Sequence, residues 1–462
     1  MKTGKATHEM VAYLSEIEYS DLTTEIVMRT KFLFLDWLGS CLAGKVSRQV
    51  KTMESFISKM GPKWGRSEVI PMKRNTSPFF AAFVNGASSH VFELDDLYNA
   101  AVLHPGTVVF PAALATAQDL SSSGKEFITA VVAGYETAAR VGEFLGRSHY
   151  KVFHTTGTAG TFGASGAVSH LLGANYDEFL NAFGSAGTQA AGLWEFLRDG
   201  ADSKQLHTAK AAANGIVASY LAHEGFTGAR NILEGEQGLG VGMSRDADTS
   251  RFTDGLGKKW AVLNTSLKYH ASCRHTHPSL DALDSVIKRN KISPADIKTI
   301  KVHVSQAAID VLGPITDPVN VQQSKFSMPF VLSTFVLKGN ASINSFLYES
   351  LNDKRIRDLM KKVEMIYDEQ IDREYPKLWR GFVEVALTDG KILTGEVKYP
   401  KGDPENFLSR EEIMSKFKSL AKYSGITSEK EIKDIIDLAM NLEKLDEIGT
   451  LIEQANQSTS SR

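Results

Sequence analysis

Residues 381–400 read GFVEVALTDGKILTGEVKYP. Apolar and polar side chains alternate on both sides of Asp389-Gly390, so the stretch predicts two strands joined in a hairpin, with Asp-Gly supplying the turn. A second alternating run, TIKVHVS at 299–305, predicts another strand. Between and before these lie PSLDALDSVIKRN (278–290) and NDKRIRDLMKKVEMIY (352–367), both read as helices. Strands with intervening helices predict a compact α+β unit over residues 266–401.

On either side of that unit the period changes. DLTTEIVMRTKFLFLDWLGSCLAG (21–44), SPFFAAFVNGASSHVFEL (77–94), KEFITAVVAGYETAARVGEFLG (125–146) and KQLHTAKAAANGIVASYLAHEG (204–225) place apolar residues three and four apart, the helical spacing. Many of these residues are Gly, Ala or Ser, which permits close helix contact. After 401 the chain returns to helices, SREEIMSKFKSLAKY and TSEKEIKDIIDLAMNLEKL, and closes on the polar QANQSTSSR, which is read as unstructured. The predicted domains are 1–265 and 402–462, helical, and 266–401, α+β.

A chain of 462 residues exceeds the size at which one core stops growing, which fits more than one domain. With 52 basic and 54 acidic side chains interspersed, the sequence lacks the one-sided positive stripe that nucleic acid requires. Two cysteines, Cys41 and Cys273, exclude a disulfide scaffold and the usual thiolate zinc sites. The N-terminus carries charge through its first apolar stretch, and no apolar run approaches the ~20 residues that span a bilayer. These features predict a cytoplasmic protein whose partner is a small molecule, with no role for nucleic acid or membrane.

Four segments concentrate reactive side chains. HVFELDDLYNAAVLHPG (90–106) holds His90, Glu93, Asp95, Asp96 and His104. The His90 to His104 gap is too long for ligands on one helix, so a metal site would require convergence from a loop. A capped turn and an acid–base site are the other readings. FHTTGTAGTFGASG (153–166) repeats glycine every third residue, a smooth strip for helix packing, and sets His154 at the expected helix N-terminus. GLWEFLRDGADSKQLHTAKAA (192–212) carries Arg198, Lys204, His207 and Lys210, which taken alone read as a solvated face. LKYHASCRHTHPSLDA (267–282) lies at the junction of the predicted domains, where ligands tend to bind. GLGVGM (238–243) has no preceding strand pattern and does not make a nucleotide loop.

These segments, with KFSMPF (325–330) and KGDPENFLSREEI (401–413), occur in this order and together resemble the MmgE/PrpD family over nearly the whole chain. Known members include 2-methylcitrate dehydratase, cis-aconitate decarboxylase and iminodisuccinate epimerase. The resemblance implies a mainly α fold, with a large helical domain built from both chain ends and a smaller inserted α+β lid. It also implies a homodimer, no cofactor and a substrate bearing two or three carboxylates, while the lack of metal-site spacing and the scarcity of thiolates predict that no metal is needed. The implied chemistry is proton removal beside a carboxylate, or its decarboxylative equivalent. By the family pattern His104, His154, Lys204 and Lys268 match functional positions; with Glu93 at the altered acidic position, the catalytic candidates are Glu93, His104, His154 and Lys204, and the substrate-binding ones are Lys268 and its junction neighbours Cys273, Arg274 and His277. Lys204 and Lys268 are expected to anchor carboxylates, and His104 and His154 to act in acid–base chemistry. Two departures stand out: Glu93 and Leu97 occupy positions where dehydratase and decarboxylase members usually carry Asp and Thr, and Cys273 stands where the decarboxylase carries a histidine. The alternatives are a decarboxylase and a catalytically silent ligand-binding relative.

Overall fold

The computed structural model describes residues 5–426 and 428–449; the polar QANQSTSSR lies outside them. The chain is mainly helical, with a small sheet. Long helices form where the spacing predicts them, Thr24–Gly44, Pro78–His90, Gly124–Tyr150 and Ser203–His223, as does the glycine-strip helix Thr155–Leu171; Gly106–Leu120 is a further long helix that the sequence reading did not single out. Their ends carry the expected chemistry. Ser123 accepts the Glu126 N–H at 3.3 Å while the Glu126 carboxylate accepts the Ser123 N–H at 2.6 Å, a capping box that starts the Gly124–Tyr150 helix. That helix kinks at Gly146, where φ is 68°.

Apolar stripes on these helices meet in one core, in which the Phe34 ring lies 5.5 Å from both Phe110 and Phe127. The glycine strip of Thr155–Leu171 packs as its spacing suggests, since a Cβ on Gly163 would stand 2.6 Å from that of Ala138 on the neighbouring helix. The C-terminal helix Arg410–Tyr423 lies against Thr24–Gly44, and Phe417 and Leu420 press on Gly39, so residues from both ends of the chain share this core.

Between them runs a four-stranded sheet in the order Val363–Tyr367, Ile297–Val304, Gly381–Leu387, Ile392–Val397. The first pair is parallel and the others antiparallel. The hairpin forms at Asp389-Gly390, with Gly390 at φ 93°. The helix His277–Asn290 covers one face by contacting both hairpin strands. One expectation fails: NDKRIRDLMKKVEMIY is helical only over Lys354–Met360, and its second half is the parallel strand Val363–Tyr367. Its Val and Ile favour the pleat, and the partner strand outcompetes continuation of a helix that is only two turns long. The short strand pairs Ser67–Val69 with Arg74–Thr76 and Leu97–Tyr98 with Thr265–Ser266 carry too little alternation to be seen in the sequence.

The chain enters and leaves the sheet-bearing segment side by side. Leu267 N–H donates to Gly402 O at 2.9 Å, and Gly402 has φ 93°. A Cβ there would lie 1.8 Å from Leu267 O, so only glycine fits. Among the described residues no helix is long and apolar enough to cross a membrane. Gly402→Ala is expected to destabilise the protein by about 2–4 kcal/mol, read as a lower denaturant midpoint with unchanged slope.

Candidate active site

The Pro78–His90 helix ends at His90, and the turn that follows carries Glu93 into the interior between Lys204, on the first turn of Ser203–His223, and Lys268, just after Thr265–Ser266. Lys204 donates to Glu93 Oε1, and Lys268 donates to Oε2 at 3.1 Å. All three side chains are buried. Burial alone would neutralise the carboxylate, but the two ammonium groups hold Glu93 well below the usual carboxylate range. Lys268 is likewise desolvated, yet Glu93 and then Asp95 keep its pKa above the ordinary lysine value. Glu93 sits at φ 57°, a left-handed conformation that costs a non-glycine residue roughly 1–2 kcal/mol. A third buried lysine, Lys325, donates to Phe92 O at 2.9 Å; burial pushes it down to about 7.

Beside the lysines stands a histidine cluster. Asp95 Oδ2 lies 2.8 Å from Nδ1 of both His90 and His104. His104 Nδ1 is also 2.6 Å from the backbone oxygen of Asp96. A carbonyl oxygen only accepts, so Nδ1 carries the hydrogen and Nε2 holds the lone pair. Burial lowers the His104 pKa to about 4, against the pull of Asp95, so the ring is neutral at pH 7. Asp95 is buried too, but its histidine partners keep it ionised. His154 forms the N-cap of Thr155–Leu171, with its Nδ1 3.3 Å from His207 Nδ1 and its ring 5.7 Å from His90. Its Nε2 is buried without a protein partner, as are His90 Nε2 and Asp95 Oδ1. Thr156 joins the two halves by accepting the His104 N–H at 3.1 Å.

Asp96 takes the structural role. It accepts the Gly106 N–H at 3.0 Å at the start of Gly106–Leu120 and the Tyr135 hydroxyl at 2.6 Å; burial raises its pKa to about 8. His90, Asp95 and His104 each offer a ligand atom within 4.8 Å of one another. Both histidine Nδ1 atoms and Asp95 Oδ2 are engaged with one another, His104 Nδ1 is committed to N–H donation, and Lys268 bears positive charge beside Asp95. The trio therefore reads as a carboxylate-backed histidine pair.

Of the sequence candidates, Glu93, His104, His154, Lys204 and Lys268 converge here. Cys273 is buried near the lysines, and desolvation, then Glu93, push its thiol up to about 11, which leaves little thiolate. Arg274 and His277 point into adjoining networks: Arg274 pairs with Asp403, and His277 Nε2 lies 3.3 Å from Ser272 O. Leu97 packs with Val102, Tyr375 and Trp379 in an apolar cluster. Sequence reasoning left Asp95, His207 and Lys325 without chemical roles, although all three lie within quoted motifs. A cavity of about 1370 Å³ opens next to the site and is lined by Val102, Tyr150 and Trp194. The Trp194 ring stands 4.9 Å from that of His154, so the histidines lie one side chain behind the cavity wall.

A buried ion triad thus stands beside a carboxylate-backed histidine pair, an arrangement with the groups that acid–base chemistry on an anionic ligand would need. The MmgE/PrpD N-terminal domain matches residues 8–251 and the C-terminal domain residues 270–442, and the chain belongs to the MmgE/PrpD family. It is 27% identical to a cis-aconitate decarboxylase of Aspergillus terreus, covering 98% of this chain and 96% of that one. It is 27% identical to a cis-aconitate decarboxylase-like protein of Aspergillus oryzae, over 97% of each. It is 26% identical to the human cis-aconitate decarboxylase, over 98% and 94%.

The His104 assignment is open to measurement. Nitrogen-15 NMR should find its ring neutral, with the hydrogen on Nδ1, from neutral pH down to about pH 5, titrating near 4. Asp95→Asn removes the charge that favours the imidazolium and should lower that midpoint further.

Proposed function

We propose that the protein is a cofactor-independent lyase or isomerase that removes a proton next to a carboxylate of a di- or tricarboxylate. The observation that carries this reading is the juxtaposition of two buried ammonium groups on Glu93 with the available Nε2 of His104. Each lysine has three donors and uses one on Glu93, so donors remain for a substrate carboxylate. In the proposed step His104 Nε2 takes the proton from the α-carbon, the C–H electron pair moves toward the carboxylate, and Lys204 and Lys268 stabilise the enolate-like charge. The intermediate then loses a group from the adjacent carbon, which leaves with the proton now on His104 Nε2, or is reprotonated on its other face; His154 Nε2, buried without a protein partner, is available to hydrogen-bond the substrate.

The relatives' names favour a decarboxylating variant, in which loss of carbon dioxide supplies the same electron pair. Three local features favour proton transfer: Cys273 in place of a histidine, the longer Glu93, and Leu97 turned into an apolar cluster instead of offering a hydroxyl. A site lacking that hydroxyl discriminates weakly for hydroxylated ligands, so turnover of 2-methylcitrate should be poor. We also propose that residues 1–265 and 402–462 form one helical unit, that 266–401 form a lid over the site, and that the protein works as a homodimer. Light scattering checks the last point.

Incubation of the protein in D2O with cis-aconitate, 2-methylcitrate, citrate, succinate and aminodicarboxylates, followed by NMR, tests the class of reaction. Deuterium should enter at a carbon next to a carboxylate, and exhaustive chelation should leave the rate intact. Loss of activity restored by one added divalent ion would overturn metal independence, and silence across the panel would favour a ligand-binding relative. His104→Gln should lower kcat by roughly 10²–10⁴. Lys204→Ala should cost about 2–4 kcal/mol in kcat/KM, and near-normal kcat/KM would remove Lys204 from the site.

A further inference from the structure

Glu93 adopts a conformation its side chain disfavours, at φ 57°, and the carbonyls of the residues before and after it, Phe92 and Leu94, are both held by lysines from distant parts of the chain. Lys325 Nζ donates to Phe92 O at 2.9 Å, and Lys416 Nζ donates to Leu94 O at 2.6 Å. Lys325 precedes the Met328–Lys338 helix and Lys416 lies on Arg410–Tyr423. Both anchors are themselves fixed. The Lys325 backbone oxygen accepts the Cys273 N–H at 2.9 Å, and its ammonium sits 4.7 Å above the Phe92 ring. Lys416 Nζ lies 2.6 Å from Asp36, a carboxylate buried in the Thr24–Gly44 helix. These bonds hold the 92–93 and 94–95 peptide groups, and so restrict rotation of the short Glu93-Leu94 segment between them.

We propose that Lys325 and Lys416 are positioning residues that hold Glu93 in its left-handed conformation, so that its carboxylate reaches Lys204 and Lys268 together. Neither lysine contacts that carboxylate by a hydrogen bond; each acts through the backbone. The proposal rests on the reading of Glu93, Lys204 and Lys268 as the anionic-ligand anchor. It adds that this anchor is set from outside, by the C-terminal helix through Asp36 and Lys416 and by the 325–327 turn through Lys325. Strain of this kind persists only where surrounding structure imposes it.

The test compares Glu93→Gly with Glu93→Ala in thermal unfolding. Both delete the carboxylate, but only alanine keeps the Cβ that makes positive φ costly. With the lysines intact, Glu93→Gly should melt higher than Glu93→Ala by ~2 °C or more. Lys416→Met should abolish that difference, because residue 93 is then free to relax, whereas Lys416→Arg, which keeps a cationic donor, should preserve it. A glycine advantage of equal size in the Lys416→Met background would overturn the proposal. A second readout is calorimetric binding of succinate. Lys416→Met should weaken it by about tenfold and Lys416→Arg should restore it, and unchanged affinity in Lys416→Met would also overturn the proposal. If the parent protein binds no succinate, the carboxylate-anchor reading fails, and the melting comparison still decides the clamp.

Discussion

A carboxylate shared between two ammonium groups away from water is the constraint on which the rest of this molecule turns. Glu93, Lys204 and Lys268 come from three separate segments, and none can be buried alone. Removing one partner from such a pair leaves a charge uncompensated and costs about 3–5 kcal/mol, whereas the intact group is close to neutral against an apolar core. The triad therefore contributes little to stability and much to geometry. It obliges the turn after Pro78–His90, the start of Ser203–His223 and the strand-to-turn segment at 265–268 to meet within one hydrogen-bond length.

Meeting that obligation requires helices that approach closely. The Thr155–Leu171 helix does so by presenting glycine toward its neighbours. At Gly157 an added Cβ would stand 2.5 Å from Ala191 O and 3.2 Å from the His207 Cβ. The same close packing that brings His154 and His207 to 3.3 Å thus depends on a residue with no side chain. Asp96 completes the frame by capping Gly106–Leu120, whose first residues follow His104 directly. His90, His154 and Lys204 occupy helix ends, where a rigid element stops and a side chain can be aimed without breaking the backbone ladder.

Much of the fold was legible because its signals are local. Helical spacing located most of the long helices, and Asp389-Gly390 located the hairpin. VEMIY at 363–367 was missed because a parallel partner sixty residues away decides its conformation, and no local feature reports it. The same division runs through the site. His104, His154, Lys204 and Lys268 stand in motifs dense enough to attract attention, and the family pattern assigned them. Asp95 and Lys325 escaped for different physical reasons. Asp95 beside Asp96 is indistinguishable in sequence from a second turn residue, and only tertiary placement sends one carboxylate to the histidines and the other to a helix N-terminus. Lys325 opens the short segment KFSMPF, which entered only as a motif of the family resemblance, and its burial depends on Phe92 and Cys273 from elsewhere. Arg274 and His277 show the converse, since a cluster of cationic residues near a junction divides between partners that the sequence cannot pair.

The glutamate at 93 gains a rationale from this geometry. An aspartate at the same backbone position would place its carboxylate one methylene nearer the chain, roughly 1.5 Å short of where Glu93 meets Lys204 and Lys268 together. Reach alone does not fix direction, because a longer side chain also has one more rotatable bond. The left-handed backbone and the buried lysine partners remove that freedom, so the added length becomes a displacement of charge instead of a source of disorder. Such a carboxylate occupies part of the volume that a shorter residue would leave open between the two lysines. A ligand anion held by both lysines would have to share them with that carboxylate. The change at position 97 acts in the same sense, because a leucine sealed among Val102, Tyr375 and Trp379 offers nothing to a ligand hydroxyl. Both departures from the family pattern thus alter the reach and polarity of this wall of the site, while His104, His154, Lys204 and Lys268 beside it keep the histidines and lysines of that pattern.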